Sequence, residues 1–351
     1  MRVVAGFGAL LTTAWMIAGV ETSTLQSPSA AEPLVVARIL AARYPAQPIM
    51  SYIPALAWSS SLRLSEMTGE SQWREKAEKD MAPFTADRSR AKAEPRRLTS
   101  LAGVFAFADA WRLSRNSAAQ AVAMEVGMLM MPQAPDELVR YATGWTDDMF
   151  MASSVLSRAA GAEQAAVVGR LLTTYAGKLQ RPDGIYVHAT DGPHAWGRGN
   201  GFALLGVTDA LTYLDPSWSD RSRVLDIYRK HVAGLATLQA EDGSWRQVVD
   251  EPSSYRELTV TAMTTAAMAR GVRLGWIDRM ANEPIVERGW RAVAARVNPD
   301  GTVRDVCSGT GVGPTKEYYL NRPVVNGADD RGGAMALLAA IEVESMRRAP
   351  R

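Results

Sequence analysis

Residues 183–207 read DGIYVHATDGPHAWGRGNGFALLGV, a glycine-rich loop that runs directly into an apolar helix. Asp183 and Gly184 open the loop, and the apolar run that starts at Phe202 belongs to the helix. Glycines remove side-chain bulk and permit unusual backbone angles, so a ligand can approach the main chain closely. The stretch therefore predicts a binding loop at the mouth of a helix.

Two side chains of this loop have the chemistry of a site for an acidic sugar. Arg198 has a planar fork of donors that fits a carboxylate or a phosphate. Trp196 has a flat apolar face of the kind on which sugar rings stack. The alternative interpretation is a structural arginine and a core tryptophan. His188 and His194 lack the spacing of metal ligands, so we expect them to hydrogen-bond a substrate.

The Asp-Gly pair at residue 183 recurs twice along the chain. Asp242-Gly243 follows 59 residues later, and Asp300-Gly301 follows after a further 58. Each pair lies between two predicted helices, so one period fits one helical hairpin with its loops. About six such units fit between residue 33 and the C-terminus. The sequence predicts an all-α fold, an (α/α)6 toroid whose loops line a central pocket at one end. The alternative is an open helical solenoid.

The spacing of apolar residues is helical almost throughout, and we find no sustained alternation of the kind that marks strands. We interpret the charged residues 85–97 as a solvated connector, and we expect a single catalytic domain over residues 32–351. The predicted helices cover residues 34–41, 52–69, 73–84, 101–113, 118–131, 155–160, 164–179, 202–214, 224–239, 260–274, 285–297 and 333–346.

The N-terminus has the layout of a secretory signal. Arg2 precedes an apolar run from Val3 to Val20, and Ser29 and Ala31 form a cleavage site of the small-residue type. We therefore expect residues 1–31 to be a cleaved signal peptide and the protein to be exported, to the periplasm or outside the cell. The alternative is a single membrane anchor, for which the run is of marginal length.

Composition narrows the function further. The chain has 351 residues and a formal net charge of +2, with arginines scattered among acids, so nothing favours nucleic-acid binding. Cys307 is the only cysteine and cannot form an internal disulfide. There is no phosphate-binding loop and no serine nucleophile elbow. We expect neither a metal nor a cofactor, and the sequence leaves the oligomeric state open.

A second candidate cluster spans residues 144–153, GWTDDMFMAS. Thr146 or Asp147 fits the N-cap of a helix, and a plain cap is the alternative to a functional role. Asp147 and Asp148 are flanked by Trp145 and large apolar residues, where desolvation raises the pKa of a carboxylate. A helix N-terminus opposes that shift because it favours the ionised form. We predict a general acid in this cluster.

A third cluster, residues 326–334, reads NGADDRGGA and precedes the apolar helix 335–341. It again places acids and glycines at a helix mouth. All three clusters have the same layout, a polar loop followed by an inner helix. In a toroid such loops converge on one face.

Together these motifs resemble those of glycoside hydrolase family 105, the unsaturated rhamnogalacturonyl hydrolases, whose relatives in family 88, the unsaturated glucuronyl hydrolases, share the fold. His188 followed by residues 196–201, WGRGNG, resembles the family signature. Residues 145–151, WTDDMFM, resemble the motif that contains the catalytic aspartate, and residues 329–333, DDRGG, resemble the closing segment. The resemblance extends from about residue 36 to the end of the chain.

The resemblance implies that a 4,5-unsaturated uronic acid is removed from the non-reducing end of a small oligosaccharide left by a polysaccharide lyase. Asp147 would protonate C4 of the enol ether and, once ionised, take a proton from the water that adds at C5. The resulting hemiketal opens and releases the next sugar. One carboxylic acid suffices, so a pair of carboxylates is not required. By position, the implied substrate-binding residues are Trp145, Asp148, His188, Trp196, Arg198 and Asn200, with Asp148 as the alternative acid.

Two departures from the family pattern bear on the substrate: Phe202 replaces a usual tryptophan, and Arg331 replaces a frequent histidine. A rhamnogalacturonyl substrate would imply a role in pectin degradation. The alternatives are an unsaturated glucuronyl hydrolase for glycosaminoglycan-type disaccharides and a non-catalytic sugar-binding toroid. A third is a triterpene cyclase, because residues 239–245, QAEDGSW, resemble the Gln-x-x-Asp-Gly-x-Trp repeat of those enzymes.

Overall fold

The computed structural model describes Met1 and residues 31–92, 94–159 and 161–350. Of the predicted signal peptide, residues 1–31, residues 2–30 lie outside the described residues, so it stays a prediction. Within the described residues, no helix combines the length and the apolar character that are needed to cross a bilayer.

Fourteen α-helices follow one another in the described part of the chain. Short 3-10 turns at Arg88–Ala91 and Ala102–Val104 precede α4 and α5, respectively. The helices are α1 (Pro33–Arg43), α2 (Tyr52–Thr68), α3 (Ser71–Ala86), α4 (Leu98–Leu101), α5 (Phe105–Ser114), α6 (Ser117–Met128), α7 (Asp147–Ala159), α8 (Ala162–Leu179), α9 (Gly197–Tyr213), α10 (Arg221–Thr237), α11 (Leu258–Arg273), α12 (Arg279–Ala294), α13 (Lys316–Leu320) and α14 (Asp330–Arg348).

Six of these helices form a closed inner ring. In order around the ring they are α2, α5, α7, α9, α11 and α14, and α14 packs back against α2. The outer helices α3, α6, α8, α10 and α12 each pack on the inner helix before them, while α1 packs on α14 and completes the last hairpin. The closed ring confirms the predicted (α/α)6 toroid over the open solenoid.

Four short strands form two antiparallel pairs that the sequence did not predict. β1 (Trp245–Arg246) pairs with β2 (Arg256–Glu257), and β3 (Val303–Cys307) pairs with β4 (Val324–Gly327) across an irregular register. Strands of two to five residues are too short to show the alternation on which sequence prediction relies. Both pairs lie in the loops around the inner helices, where they shape the end of the ring.

The inner helices are built from small and apolar residues because they are covered on all sides. Every residue of α11 from Leu258 to Val272 is buried. Where α9 crosses α7, a Cβ at Gly206 would come within 2.2 Å of the carbonyl oxygen of Met149, so only glycine permits this approach. Two buried hydroxyls, Ser153 and Ser154, interrupt the apolar spacing of α7, and the predicted range 155–160 covers only its last turns. The start of α7 at Asp147 agrees with the N-cap predicted at Thr146 or Asp147.

The three Asp-Gly pairs form the same turn. Gly184, Gly243 and Gly301 have φ values of 91°, 88° and 80°, a left-handed conformation that disfavours other residues. At Gly184 and Gly243, an added Cβ would collide with a carbonyl oxygen of the next outer helix. In each turn the aspartate side chain accepts a hydrogen bond from the N–H two residues further along. The sequence repeat is therefore a repeat of structure.

Gln239, from the motif that resembles the cyclase repeat, has a structural role. Its side-chain nitrogen donates to the carbonyl oxygens of Gly243 and Ile285, both at 2.9 Å. Gln180 makes the corresponding bonds one repeat earlier, at 3.1 and 3.4 Å. These glutamines tie the end of one hairpin to the next outer helix.

Six charged side chains form a belt near the C-terminal ends of the inner helices, with one residue from each helix. Cations and anions alternate around the ring, and each ion pair joins neighbouring helices. Ser59 of α2 closes the belt by donating to Asp109 of α5 at 2.6 Å. The belt, in ring order, consists of Arg63 (α2), Asp109 (α5), Arg158 (α7), Asp209 (α9), Arg270 (α11) and Glu342 (α14).

Removing one carboxylate from this belt should destabilise the whole ring. Glu342 is fully buried and accepts from Arg63 and Arg270. Burial alone would raise the pKa of Glu342, but these arginines hold it well below its ordinary value of 4.5. We expect Glu342→Gln to lower the free energy of unfolding at pH 7 by about 3–5 kcal/mol, because it leaves buried guanidinium charge unpaired. Chemical denaturation measures this loss.

The matched control is Glu344→Gln on the same helix, since Glu344 pairs with the exposed Arg348 and should matter by less than about 0.5 kcal/mol. Because the folded-state pKa of Glu342 is depressed, its contribution is present above the unfolded-state pKa and is lost as pH falls through the acid range. The gap between wild type and Glu342→Gln should therefore narrow on acidification. Equal free energies of unfolding for Glu342→Gln and Glu344→Gln at pH 7 would contradict the role of the belt.

Candidate active site

The three polar clusters meet at the N-terminal ends of the inner helices, opposite the belt. Asp147 begins α7, Arg198 lies in the first turn of α9, and Arg331 lies in the first turn of α14. Tyr52, the first residue of α2, is subject to the charges of all three. Its pKa is raised by burial and by Asp147, while both arginines lower it. The structure thus brings residues from four inner helices to one end of the ring.

Asp147 is a partly exposed acid at this end, with 17% of its side chain accessible. Its Oδ2 lies 3.3 Å from Nε2 of His188. The main chain couples the same two segments, because the N–H of Thr146 donates to the carbonyl oxygen of His188 at 3.0 Å. The start of α7 and the loop before α9 are therefore held together at the acid.

His188 is buried, and both of its ring nitrogens have protein partners. Besides the contact with Asp147, its Nδ1 lies 3.0 Å from Oη of Tyr319. The ring packs between Trp145 and Trp196, with centroid distances of 5.4 and 4.5 Å. The predicted hydrogen bond from His188 to a substrate is therefore replaced, in this structure, by contacts with the acid and with Tyr319.

Trp196 is not placed where a sugar ring could stack on it, since only 2% of the residue is exposed. It packs against His188 and Phe202, and the Arg198 guanidinium lies 5.5 Å from its ring centroid. The predicted stacking role is corrected to a core role, as the alternative interpretation held. Trp145, beside His188, remains partly exposed, and its contact with a substrate stays a prediction.

Arg198 is also buried, and protein groups hold its guanidinium. Nε donates to Oγ1 of Thr259 at 3.0 Å, and Nη2 donates to the carbonyl oxygens of Cys307 and Ser308. Thr259 in turn donates to the buried Glu257 carboxylate at 2.8 Å. This network fixes the Arg198 guanidinium beneath the site, with the Glu257 carboxylate on the far side of Thr259. A direct contact between Arg198 and a uronate stays a prediction.

Asn200, predicted to bind substrate, instead ties the loop to the helix. It exchanges hydrogen bonds of 2.9 Å with the main chain of Tyr186, and its Nδ2 also donates to the carbonyl oxygen of Trp196. Its Oδ1 lies 3.1 Å from Nε2 of His231. Burial lowers the pKa of His231 to about 3, so the imidazole is neutral and donates this bond. The amide is 1% exposed and has no face toward a ligand.

Asp148 holds the turn that precedes the acid. Its carboxylate accepts from the N–H groups of Thr143 and Gly144 at 2.7 and 2.9 Å, and from Tyr175 Oη at 2.6 Å. Burial raises its pKa, as the sequence predicted, although these bonds act in the opposite direction. At 1% exposure it is in place to position Trp145 and Asp147 rather than to touch a substrate.

The departures Phe202 and Arg331 have different surroundings. Phe202 is buried, stacked on Phe150 at 6.0 Å and in edge contact with Tyr52 at 5.4 Å, so it changes core packing rather than a sugar-facing surface. Arg331 keeps 23% of its side chain exposed and donates to Asp329 at 2.7 Å. Arg331 therefore adds an accessible positive charge to the site.

Sequence reasoning missed Tyr52 and Tyr319. Tyr52 opens a helix with no charged or glycine-rich signature, and Tyr319 lies 131 residues beyond its partner His188. No local pattern signals a contact over that separation. Among the described residues, no three His, Cys, Asp or Glu side chains lie close enough together to hold a metal ion.

Comparison with known proteins decides the family. The model of Glycosyl Hydrolase Family 88 matches residues 37–347. The chain belongs to this family. The resemblance of its motifs to families 105 and 88 is thereby confirmed.

Solved members of these families have the same fold. A possible member of family 105 from Salmonella enterica superposes with a TM-score of 0.77 at 19% identity, covering 95% of this chain and 99% of the other. An unsaturated glucuronyl hydrolase from Bacillus sp. GL1 superposes with a TM-score of 0.67 at 14% identity, covering 90% and 97%. At these identities the likeness shows the fold alone.

Curated relatives match over shorter segments. An unsaturated 3S-rhamnoglycuronyl hydrolase from Alteromonas sp. (strain LOR) is 34% identical over 113 residues, which is 32% of this chain and 27% of the relative. An unsaturated rhamnogalacturonyl hydrolase from Bacillus subtilis (strain 168) is 29% identical over 153 residues, which is 41% and 42%. The matched segments thus span less than half the length of these two relatives.

The structural role of Asp148 can be tested by Asp148→Asn. An asparagine amide has one acceptor oxygen, and its NH2 group would face the hydrogen-bond donors that the carboxylate now accepts from. We therefore expect the free energy of unfolding to fall by about 1–3 kcal/mol. Thermal and chemical denaturation measure the loss. Asp136→Asn, at an exposed position in the preceding loop, should change stability by less than about 0.5 kcal/mol. Wild-type stability of Asp148→Asn would refute the positioning role.

Proposed function

We propose that this family member removes a 4,5-unsaturated uronic acid from the non-reducing end of oligosaccharides that a polysaccharide lyase has produced. The reaction is a hydration. Asp147 donates a proton to C4, positive charge develops at C5 and spreads to the ring oxygen, and water adds at C5 while the ionised Asp147 takes its proton. The hemiketal then opens, and the glycosidic bond to the next sugar is lost.

The observation that carries this proposal is that Asp147 is an available acid at the start of an inner helix, beside His188. It is partly exposed and lies 3.3 Å from His188. Two neighbouring carboxylates are engaged by protein groups: Asp148 accepts from the turn before α7, and Asp329 pairs with Arg331 and caps α14. A double bond that is activated by protonation needs one acid that can also act as a base, which this arrangement supports.

The electrostatics of this end of the ring suit an anionic substrate. The N-termini of the inner helices carry partial positive charge, which favours a carboxylate near them. Arg331 adds an accessible guanidinium, and the buried Arg198 adds a second charge beneath it. We assign the uronate carboxylate to this positive region, beside the partly exposed face of Trp145.

For the sugar next to the uronate we propose rhamnose, so that the preferred substrate is an unsaturated rhamnogalacturonyl disaccharide. The support is the names of the curated relatives from Alteromonas, Formosa agariphila and Bacillus subtilis, all of which refer to a rhamnose-containing substrate. A preference for glucuronyl disaccharides of the glycosaminoglycan type is the alternative. Parallel assays of rhamnose-linked, glucose-linked and amino-sugar-linked disaccharides distinguish the two.

Asp147→Asn tests the acid. An amide cannot donate a carboxylic proton, so we expect turnover to fall by about 10³-fold or more, with substrate binding largely retained. Loss of the ultraviolet absorbance of the conjugated double bond measures turnover, and calorimetry with the variant measures binding. Asp226→Asn, on the exposed face of the outer helix α10, should behave as wild type.

Near-wild-type turnover by Asp147→Asn would overturn the assignment of the acid. Binding by the wild type without any loss of absorbance on all substrates would instead favour a non-catalytic sugar-binding toroid. Together, the two experiments separate a wrong residue from a wrong function.

The contribution of the two arginines can be separated by Arg331→Gln and Arg198→Lys. Arg331 is accessible, so its loss should raise KM for the uronate by about tenfold, while glutamine keeps a donor for Asp329. Arg198 is buried among protein acceptors, so Arg198→Lys should also lower the melting temperature. An unchanged KM in both variants would refute the positive region as the carboxylate site.

A further inference from the structure

A row of three side chains runs from α13 to the acid. Oη of Tyr319 lies 3.0 Å from Nδ1 of His188, and Nε2 of the same ring lies 3.3 Å from Oδ2 of Asp147. Tyr319 and His188 are both buried, which protects the row from exchange with water. Among the described residues, Tyr319 and Asp147 are the only hydrogen-bond partners of the His188 ring nitrogens.

The main chain favours one direction of donation at the tyrosine end. The N–H of Gly313 donates to Oη of Tyr319 at 3.3 Å, so the hydroxyl oxygen already accepts one hydrogen bond. Its own proton is then free to point at Nδ1 of His188. Burial raises the pKa of Tyr319, which keeps the hydroxyl protonated at neutral pH. A neutral His188 that accepts at Nδ1 carries its proton on Nε2.

We propose that Tyr319 is a positioning residue that holds His188 as the Nε2–H tautomer and thereby selects the oxygen of Asp147 that carries the catalytic proton. The N–H at Nε2 donates to Oδ2, and an oxygen that accepts this bond is the carbonyl oxygen of the protonated acid. The acidic proton is therefore on Oδ1, from which it is given to the substrate.

The row keeps this arrangement through the reaction. When Oδ1 has lost its proton to C4, Oδ2 still accepts from His188, and the bond becomes stronger because its acceptor is now a carboxylate. Oδ1 then takes the proton of the water that adds at C5. No proton passes through His188 or Tyr319, so atoms and charges balance within the acid, the substrate and one water. These kinetic consequences rest on the proposed function, whereas the tautomer is a property of the chain itself.

Other charged and titratable groups surround the row, and each bears on the pH dependence of protonation at His188 and Asp147. Asp148 and Arg198 are engaged by their own protein partners. The groups that face the row are Tyr52 of α2, Asp148 of α7, Asp191 and His194 of the loop before α9, Arg198 of α9, Tyr318 of α13 and Arg331 of α14.

The tautomer can be measured directly because the chain contains three histidines. In protein labelled with ¹⁵N at histidine, long-range ¹H–¹⁵N spectra report which ring nitrogen carries the proton, and the spectrum of His188→Gln identifies the His188 signals. We expect a protonated Nε2 and an unprotonated Nδ1 in the wild type at neutral pH. A protonated Nδ1, alone or in a doubly protonated ring, would overturn the proposal. This measurement needs no substrate and stands even if the proposed function fails.

Tyr319→Phe tests the role of the hydroxyl. Without a donor at Nδ1 the ring can carry its proton there, and its Nε2 lone pair then draws the proton of Asp147 onto Oδ2. We expect mixed tautomers in the spectrum, a fall in kcat of about 10–100-fold and a nearly unchanged KM. The basic limb of the kcat profile should move to higher pH, because the ionised acid loses a hydrogen-bond donor.

Tyr318→Phe is the matched control on the same short helix. Its hydroxyl accepts from the N–H of Gly311 at 3.1 Å, so this change loosens the same loop without touching His188. We expect the wild-type tautomer and pH profile. An equal shift of the profile in both variants would attribute the effect to the loop and refute the proposal, as would an unchanged tautomer and profile in Tyr319→Phe.

Discussion

The six inner helices all point the same way, and this parallel alignment is the constraint on which the rest of the structure depends. Parallel dipoles place partial negative charge at one end of the ring and partial positive charge at the other. The belt of alternating arginines and carboxylates lies at the C-terminal end, where cations are favoured. Since each pair joins two neighbouring helices, the belt ties the ring together at this end.

With the C-terminal end closed by ion pairs, the N-terminal end is left to bind a ligand. Here the helix starts supply main-chain N–H groups and positive potential, and the loops before α7, α9 and α14 supply the side chains. The buried charges divide into two kinds. Arg198 and Asp148 are tied to protein partners and hold the frame, whereas Asp147 and Arg331 remain accessible. An accessible acid on a rigid frame is what proton transfer to a bound sugar requires.

The loop between β3 and β4 completes this end. It contains α13, whose Tyr319 reaches His188, and it is the segment in which sequence patterns were least informative. Gly192 permits the contact, because a Cβ there would come within 2.5 Å of the Tyr319 hydroxyl. A loop near the C-terminal end of the chain thus supports residues that belong to much earlier hairpins.

The sequence by itself determined most of the helices, the period of the hairpins and the position of Asp147 at a helix start. These features arise within a few residues: the Asp-Gly turn needs a left-handed glycine and an aspartate beside it, and both are visible in the sequence. Only the tertiary structure decided that Trp196 and Asn200 are buried, that Asp148 supports a turn and that Tyr319 meets His188. Exposure depends on which distant segment covers a side chain, and this information is not contained in the neighbouring residues.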